Sequence, residues 1–84
     1  MSFGPWQPNI SPADRLARLR AVRALAGVFA HRHPDLRAAL LAAEAGDLAA
    51  RQRAQELIDQ LPALNRRRLL ASYGDLARPL KKAG

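Results

Sequence analysis

The chain has 84 residues, with fourteen lysines and arginines against seven acidic residues, and no cysteine. This length is too short for two independently folded domains, and the lack of cysteine excludes disulfides, thiolate nucleophiles and zinc sites of the cysteine type. The formal net charge of +7 favours nucleic acid, acidic protein surfaces or anionic membranes as partners. Twelve of the basic residues are arginine, and the alternative explanation of this excess is a GC-rich coding sequence, which favours alanine, leucine and arginine without selection for a polyanion.

The sequence contains neither a charged amino-terminal region followed by an apolar run nor eighteen consecutive apolar residues. We therefore expect no secretory signal peptide and no membrane span, and a cytoplasmic location is the corresponding expectation. A chain of this length buries only about 60% of the surface that its unfolded form exposes. Its core must be well packed or be completed by a second subunit, which leaves a homo-oligomer open.

Residues 1–10 are rich in residues that interrupt helices. Gly4, Pro5 and Pro8 are interspersed with the aromatic residues Phe3 and Trp6. Proline fixes its own φ angle and lacks an amide donor, so this composition blocks a regular helix and favours polyproline-like backbone. The sequence predicts an extended amino-terminal arm.

The clearest helix start follows the arm. Ser11 is a favourable cap, Pro12 suits the first helical position, and Asp14 places a negative charge at the positive end of the helix. This pattern predicts an amphipathic helix over residues 12–32. Apolar residues recur along it at steps of three and four, at Leu19, Val22, Leu25, Ala26 and Phe29.

Two further helices are predicted over residues 34–45 and 48–61. Pro34 ends the first helix and suits the first turn of the second, and another proline ends the third. Gly46 and Asp47 are a helix stop followed by a cap, which predicts a tight corner. The expected inward positions are Leu36, Ala39, Leu40, Ala43, Ala50, Ala54, Leu57, Ile58 and Leu61.

The last helix is predicted over residues 65–73, with Asn65 as its cap. Gly74 and Asp75 repeat the stop-and-cap pair of the earlier corner. We therefore expect a break there, followed by a short helical extension over residues 75–78.

Together these elements predict an all-α fold, a small bundle of four helices in a single domain over residues 11–80. A frayed basic tail is expected over residues 81–84. The two glycine-aspartate pairs suggest a duplicated helical hairpin of about 28 residues. Chance similarity in a chain built mostly from three residue types is the alternative.

No arrangement of side chains indicates catalysis. Ser2, Ser11 and Ser72 lie in no nucleophile-elbow or lysine-paired motif. Glu56 and Asp59 lie three apart on one predicted helix, but no histidine or metal-ligand motif accompanies them, so a solvated face is the better interpretation. We expect a protein that is not an enzyme.

Metal and cofactor sites are not indicated either. His31 and His33 lie two apart, which directs them to different sides of a helix, whereas helical metal pairs usually lie four apart. The five glycines are scattered rather than grouped in a phosphate-binding loop. We expect no bound metal and no cofactor.

The arm carries two of the four aromatic residues, Phe3 and Trp6. Trp6 either folds back to cover an alanine-rich core, which the large area of an indole favours, or inserts into a partner as an anchor. Phe3 and Trp6 are the candidate protein-binding residues.

The basic residues form two candidate polyanion-binding groups. Arg20 and Arg23 lie on the outer face of the first predicted helix, and Arg66, Arg67 and Arg68 lie in the first turn of the last. Cations there oppose the helix dipole, so local helix stability does not explain them. A solvated surface with scattered ion pairs is the alternative, and a stripe that engages phosphates would bind in a strongly salt-dependent way.

Residues 36–58 have nearly the length of a helix-turn-helix. With Gly46 in the turn, Ala42 occupies a plausible small position, but Gln52 and Gln55 fall where a recognition helix buries apolar residues. The standard motif is therefore not favoured.

These features favour a non-enzymatic protein-interaction module, a regulator or adaptor that binds a partner protein through exposed helix faces and the aromatic arm. The alternative is a basic nucleic-acid-binding accessory or regulatory protein that uses the arginine groups.

Overall fold

The computed structural model describes residues 4–77 of the chain. A single 3-10 turn at Gly4–Trp6 precedes four α-helices, α1 (Pro12–Phe29), α2 (Pro34–Glu44), α3 (Leu48–Asp59) and α4 (Ala63–Ala77). The prediction of an all-α bundle of four helices is confirmed. Phe3, the tail over residues 81–84 and the last residue of the expected extension lie outside the described part of the chain.

Helix α1 begins as its sequence predicts. The Ser11 hydroxyl accepts a hydrogen bond from the Asp14 amide at 3.1 Å, with Pro12 at the first helical position. The helix ends at Phe29, three residues before the predicted end. Pro34 disfavours helical backbone in the residue before it, and His33 accordingly adopts φ −121° and ψ 73°. The histidines therefore lie in a loop rather than on the last turn of the helix.

The corner between α2 and α3 is confirmed in detail. Gly46 has φ +104°, a left-handed conformation that favours glycine. Its amide binds the Ala43 carbonyl and the Asp47 amide binds the Ala42 carbonyl, the paired bonds of a Schellman motif. The Asp47 carboxylate then accepts from the Ala50 amide at 3.0 Å and caps α3.

The predicted limits of the last helix are wrong. Helix α4 begins two residues earlier, where the Pro62 carbonyl accepts the Arg66 amide at 2.9 Å. Asn65 is not the cap, because its side-chain amide donates to the Phe29 carbonyl at 2.8 Å and ties the start of α4 to the end of α1. This contact spans 36 residues of sequence, so a local cap pattern does not reveal it.

The expected break at Gly74 is also absent from α4, which continues through it to Ala77. Glycine costs a helix only about 1 kcal/mol relative to alanine, and the buried ring of the preceding Tyr73 holds this part of α4 on the core. Gly46 ends a helix with a positive φ, whereas Gly74 has no positive φ. The different roles of the two glycines argue against a duplicated hairpin.

The helices pack as antiparallel neighbours around α1, which contacts both α2 and α4, while α3 packs mainly on α2. Every predicted inward residue of α2 is buried. In the third predicted helix, Ala54, Ile58 and Leu61 are buried, and Ala50 and Leu57 are half-buried. The remaining buried apolar residues are Leu19, Val22, Ala26, Ala30, Leu69 and Tyr73.

The amino-terminal arm differs from the extended segment that the sequence predicts. Gly4, Pro5 and Trp6 form a 3-10 turn that folds back onto α1, and Pro5 is among the most completely buried side chains of the protein. Proline does block an α-helix here, as expected. Interactions with distant residues, rather than the intrinsic preference of the backbone, decide its position.

Candidate protein-binding groove

Two arginines of α1 hold the arm in place. Arg15 Nη1 donates to the carbonyls of Pro5, at 2.6 Å, and Gln7, at 3.2 Å. Arg18 Nη1 donates to the Gly4 carbonyl at 3.2 Å and to Gln7 Oε1 at 2.6 Å. We call this pair the arginine clamp. Two features of the sequence point to this clamp. Arg15 and Arg18 are three positions apart, which puts both side chains on one face of the helix, and the arm before them has carbonyls without helical hydrogen-bond partners.

The arm also reaches α3 and α4. Trp6 Nε1 donates to the Arg51 carbonyl of α3 at 2.7 Å. Gly4, at φ +49°, lies so close to α4 that a Cβ there would be 2.7 Å from the Tyr73 ring. Burial raises the pKa of Tyr73 above its ordinary value, and the positive charge of Arg18 opposes part of this shift. The half-buried Trp6 is therefore part of the bundle.

Arg20 and Arg23 are drawn to one carboxylate. Arg23 binds Glu44 through two hydrogen bonds, Nε to Oε2 and Nη2 to Oε1, the second at 3.2 Å, and the bonds to Glu44 raise the pKa of Arg23. Arg20 Nε lies 3.7 Å from Glu44 Oε1. The side chains of Arg23 and Glu44 are 30% and 11% exposed, whereas that of Arg20 is 63% exposed. Arg20 therefore remains accessible, and Arg23 is committed to α2.

The arginines at the start of α4 have different environments. Arg66 Nη1 donates to the Asp59 carbonyl at 2.9 Å, which fastens the α3–α4 connection. Arg67 and Arg68 are exposed and make no hydrogen bond or ion pair to any residue of the described range.

The two candidate polyanion-binding groups have different partners in the structure. Arg20 and Arg23 lie beside Glu44 of α2, whereas Arg66 binds the Asp59 carbonyl at the connection between α3 and α4. The start of α4 is tied to the end of α1 through Asn65 and Phe29, six positions beyond Arg23, which is about 9 Å along the axis of α1.

A groove of about 390 Å³ opens between the start of α1 and the α2–α3 corner. Leu48 is 67% exposed, because the tight turn at Gly46 and Asp47 places it in the first turn of α3, at the rim of the bundle. Beside it, Ile10 and Leu16 are half-buried. The apolar lining, which we call the Leu48 groove, consists of Ile10, Pro12, Leu16, Leu19, Ala43 and Leu48.

Charged residues of both signs surround the Leu48 groove, and the arginines, Arg15, Arg20, Arg23 and Arg51, outnumber the two carboxylates. Glu44 and Asp47 also line it, but Glu44 is paired with Arg23 and Asp47 caps α3. Arg51 lines the groove and its side chain makes no ion pair inside the described range, and Arg20 lies beside Glu44. An apolar surface with accessible guanidinium groups suits a ligand that is apolar and acidic.

Sequence reasoning missed this groove. Leu48 follows the cap residue Asp47 directly, and an apolar residue at that position falls outside the inward spacing of α3. The position of this leucine outside the apolar spacing was the feature of the sequence that could have indicated the groove. The neighbouring residues come from the start of α1, more than thirty positions away, so only the folded chain brings them to Leu48.

Within residues 4–77, no three histidine or acidic side chains lie close enough to hold a metal ion, and no helix is both long and apolar enough to cross a bilayer. Ser11 serves as a cap. The chain matches no family model, and no curated protein or solved structure is significantly similar to it.

Proposed function

We propose that this protein is a non-enzymatic interaction module that binds an apolar, acidic segment of a partner protein in the Leu48 groove. The observation that carries the proposal is the exposure of Leu48, 67%, beside the half-buried Ile10 and Leu16. A cleft with an apolar floor and a few polar groups at its edge is the usual form of a binding site. Covering Leu48 with a partner would remove apolar surface from water.

Charge complementarity supports an acidic ligand. Arg51 and Arg20 are the accessible cations near the groove, and the nearby carboxylates of Glu44 and Asp47 already have partners within the protein. An aspartate or glutamate of the ligand would face the Arg51 guanidinium group, which has no ion pair inside the described range, and the exposed Arg20, which lies 3.7 Å from Glu44. The net charge of +7 adds a long-range attraction that raises the association rate.

Under this proposal the arm acts through the shape of the groove. Arg15 lines the groove and also binds the Pro5 and Gln7 carbonyls, and Trp6 binds the backbone of Arg51. Trp6 therefore supports one wall of the groove instead of anchoring the partner. Binding should depend on Trp6 indirectly, through the position of α3 and α1.

A peptide-display selection on the immobilised full chain tests the proposal. We expect enriched peptides to combine two or more large apolar residues with aspartate or glutamate. A synthetic peptide of that kind should lose about tenfold or more in affinity for Leu48→Glu, which puts a charge into the groove. Leu64→Glu is the matched control, because Leu64 is 51% exposed on α4 and outside the groove. Equal loss in both variants, or no enrichment over a scrambled pool, would refute the proposal.

Nucleic-acid binding is the second candidate, and the exposed, unpaired Arg67 and Arg68 favour it. Gln52 is exposed and Gln55 half-buried on α3, so a standard recognition helix with an apolar inner face is not its basis. The test is oligonucleotide binding over a salt series. A steep fall of log affinity with log salt, abolished in Arg67→Glu/Arg68→Glu, would support this candidate over the Leu48 groove.

A further inference from the structure

The residues Gly4 to Gln7 lie in the bundle as a bound peptide would. Their contacts reach three helices, with the arginine clamp on α1, the Arg51 carbonyl on α3 and the Tyr73 ring on α4. Helices α3 and α4 both pack on other elements more than on each other. The arm thus touches both of these helices, through Trp6 on α3 and Gly4 on α4, and its Pro5 side chain is buried.

Specific chemistry fixes this peptide in its site. The clamp binds backbone carbonyls, the buried Gly4 fits under the Tyr73 ring where a side chain would not, and the indole of Trp6 supplies a directed donor. The receptor site therefore fits glycine at position 4 and tryptophan at position 6. A second copy of the chain carries the same segment.

A short connection joins the bound peptide to α1. It contains Pro8 and is followed by Pro12, and it turns at Asn9, which has φ +63°. Asn9 is the one described residue other than glycine with a positive φ. Asparagine is among the few residues that tolerate this conformation, but an extended conformation is also open to it.

We propose that the site between α1, α3 and α4 accepts residues 4–7 from a second copy, so that two chains form a dimer by exchanging their arms. Every contact of the arm would be made again across the dimer, and only the connection would change conformation. Domain exchange of this kind needs no new interface, and short, constrained hinge loops promote it.

The hinge is Asn9. A change of Asn9 to extended backbone would straighten residues 8–11, which then span about 13 Å. Proline on either side keeps the straightened connection stiff. The chain's own arm competes with the exchange, because its tether holds it near the site at an effective concentration of about millimolar. The dimer should therefore form only when the protein itself is concentrated to that range.

Sedimentation velocity on the full chain over a range of concentrations tests the exchange. The average mass of the wild type should rise from 9.2 kDa toward twice that value. Asn9→Val should favour the dimer, because a β-branched residue opposes positive φ, whereas Asn9→Gly should favour the monomer. The positive φ at residue 9 is released in both chains of each dimer, and each release changes the dimer dissociation constant by about tenfold between valine and glycine. The dissociation constants of the two variants should therefore differ by about 100-fold.

A mixing experiment separates arm exchange from any other dimer. Isotope-filtered NMR on an equimolar mixture of 13C-labelled and unlabelled full chains at millimolar concentration should show contacts between the Gly4 protons of one copy and the Tyr73 ring of the other, because the arm lies against that ring. A monomeric wild type at millimolar concentration, monomeric Asn9→Val, or a dimer without these intermolecular contacts would overturn the proposal.

Discussion

The indole Nε1 of Trp6 donates a 2.7 Å hydrogen bond to the carbonyl of Arg51, 45 residues further along the chain. This contact joins the amino-terminal arm to α3, whose other main neighbour is α2. Because the arm is also clamped to α1, Trp6 closes a ring of contacts around the bundle. Its loss should therefore affect the whole fold.

We expect Trp6→Ala to lower the free energy of unfolding by about 2 kcal/mol, since a half-buried aromatic loses part of the packing that a fully buried one would lose. Trp6→Phe should cost about 1 kcal/mol, mainly through the lost hydrogen bond. Urea unfolding followed by circular dichroism measures both, because the variants have no tryptophan for fluorescence. An unchanged midpoint in Trp6→Ala would show that the arm is not part of the folded unit.

Gly4→Ala should destabilise the protein for two reasons. The positive φ costs a residue with a side chain about 1–2 kcal/mol, and the new Cβ would meet the Tyr73 ring at 2.7 Å. The same substitution in a Tyr73→Ala background should cost less, because only the backbone cost remains. Thermal unfolding of the wild type, the two single variants and the double variant measures the coupling energy between residues 4 and 73. If the two substitutions have additive effects on stability, Gly4 and the Tyr73 ring are not in close contact.

The two internal glycines at the predicted helix ends should respond in opposite ways to alanine. Gly74→Ala should stabilise the protein by about 0.5–1 kcal/mol, because Gly74 lies inside α4 with open space around it. Gly46→Ala should destabilise by about 1 kcal/mol, because Gly46 has φ +104°. Urea unfolding measures both changes. If Gly74→Ala instead destabilises the protein, the helix breaks at Gly74, as the sequence predicts.

Tyr73 should make stability depend on pH in the alkaline range. Burial raises the pKa of its hydroxyl in the folded protein, whereas in the unfolded chain it ionises near pH 10. As the pH rises past about 10, the unfolded chain releases a proton that the folded chain keeps, so stability falls until the folded-state pKa is passed. Tyr73→Phe should show a smaller alkaline loss in urea unfolding. An equal loss would assign it to other groups.

Local sequence patterns predicted the parts of the fold that depend on neighbouring residues. The Ser11 cap, the glycine corner at Gly46 and the apolar spacing of α2 each involve contacts within a few positions, and the structure has them as expected. The start of α4 and the position of the arm depend instead on Asn65 binding Phe29 and on Trp6 binding Arg51. Those distant contacts override local preferences.

The candidate sites were predictable to a smaller extent. Charge and composition singled out Arg20, Arg23 and Trp6 as possible binding residues, but surface residues have no periodic pattern to reveal their partners. Arg23 is paired with Glu44, and Arg15 and Arg18 hold the arm. A large part of the arginine excess therefore has a structural role that composition alone does not distinguish from polyanion binding.

The most direct test of the Leu48 groove is a two-dimensional NMR titration of the labelled full chain with a selected apolar, acidic peptide. The proposal predicts that the largest chemical-shift changes occur at Ile10, Leu16 and Leu48, and that Leu48→Glu abolishes them while Leu64→Glu does not. Changes centred on Arg67 and Arg68, with those at Leu48 no larger than the average over the chain, would contradict it.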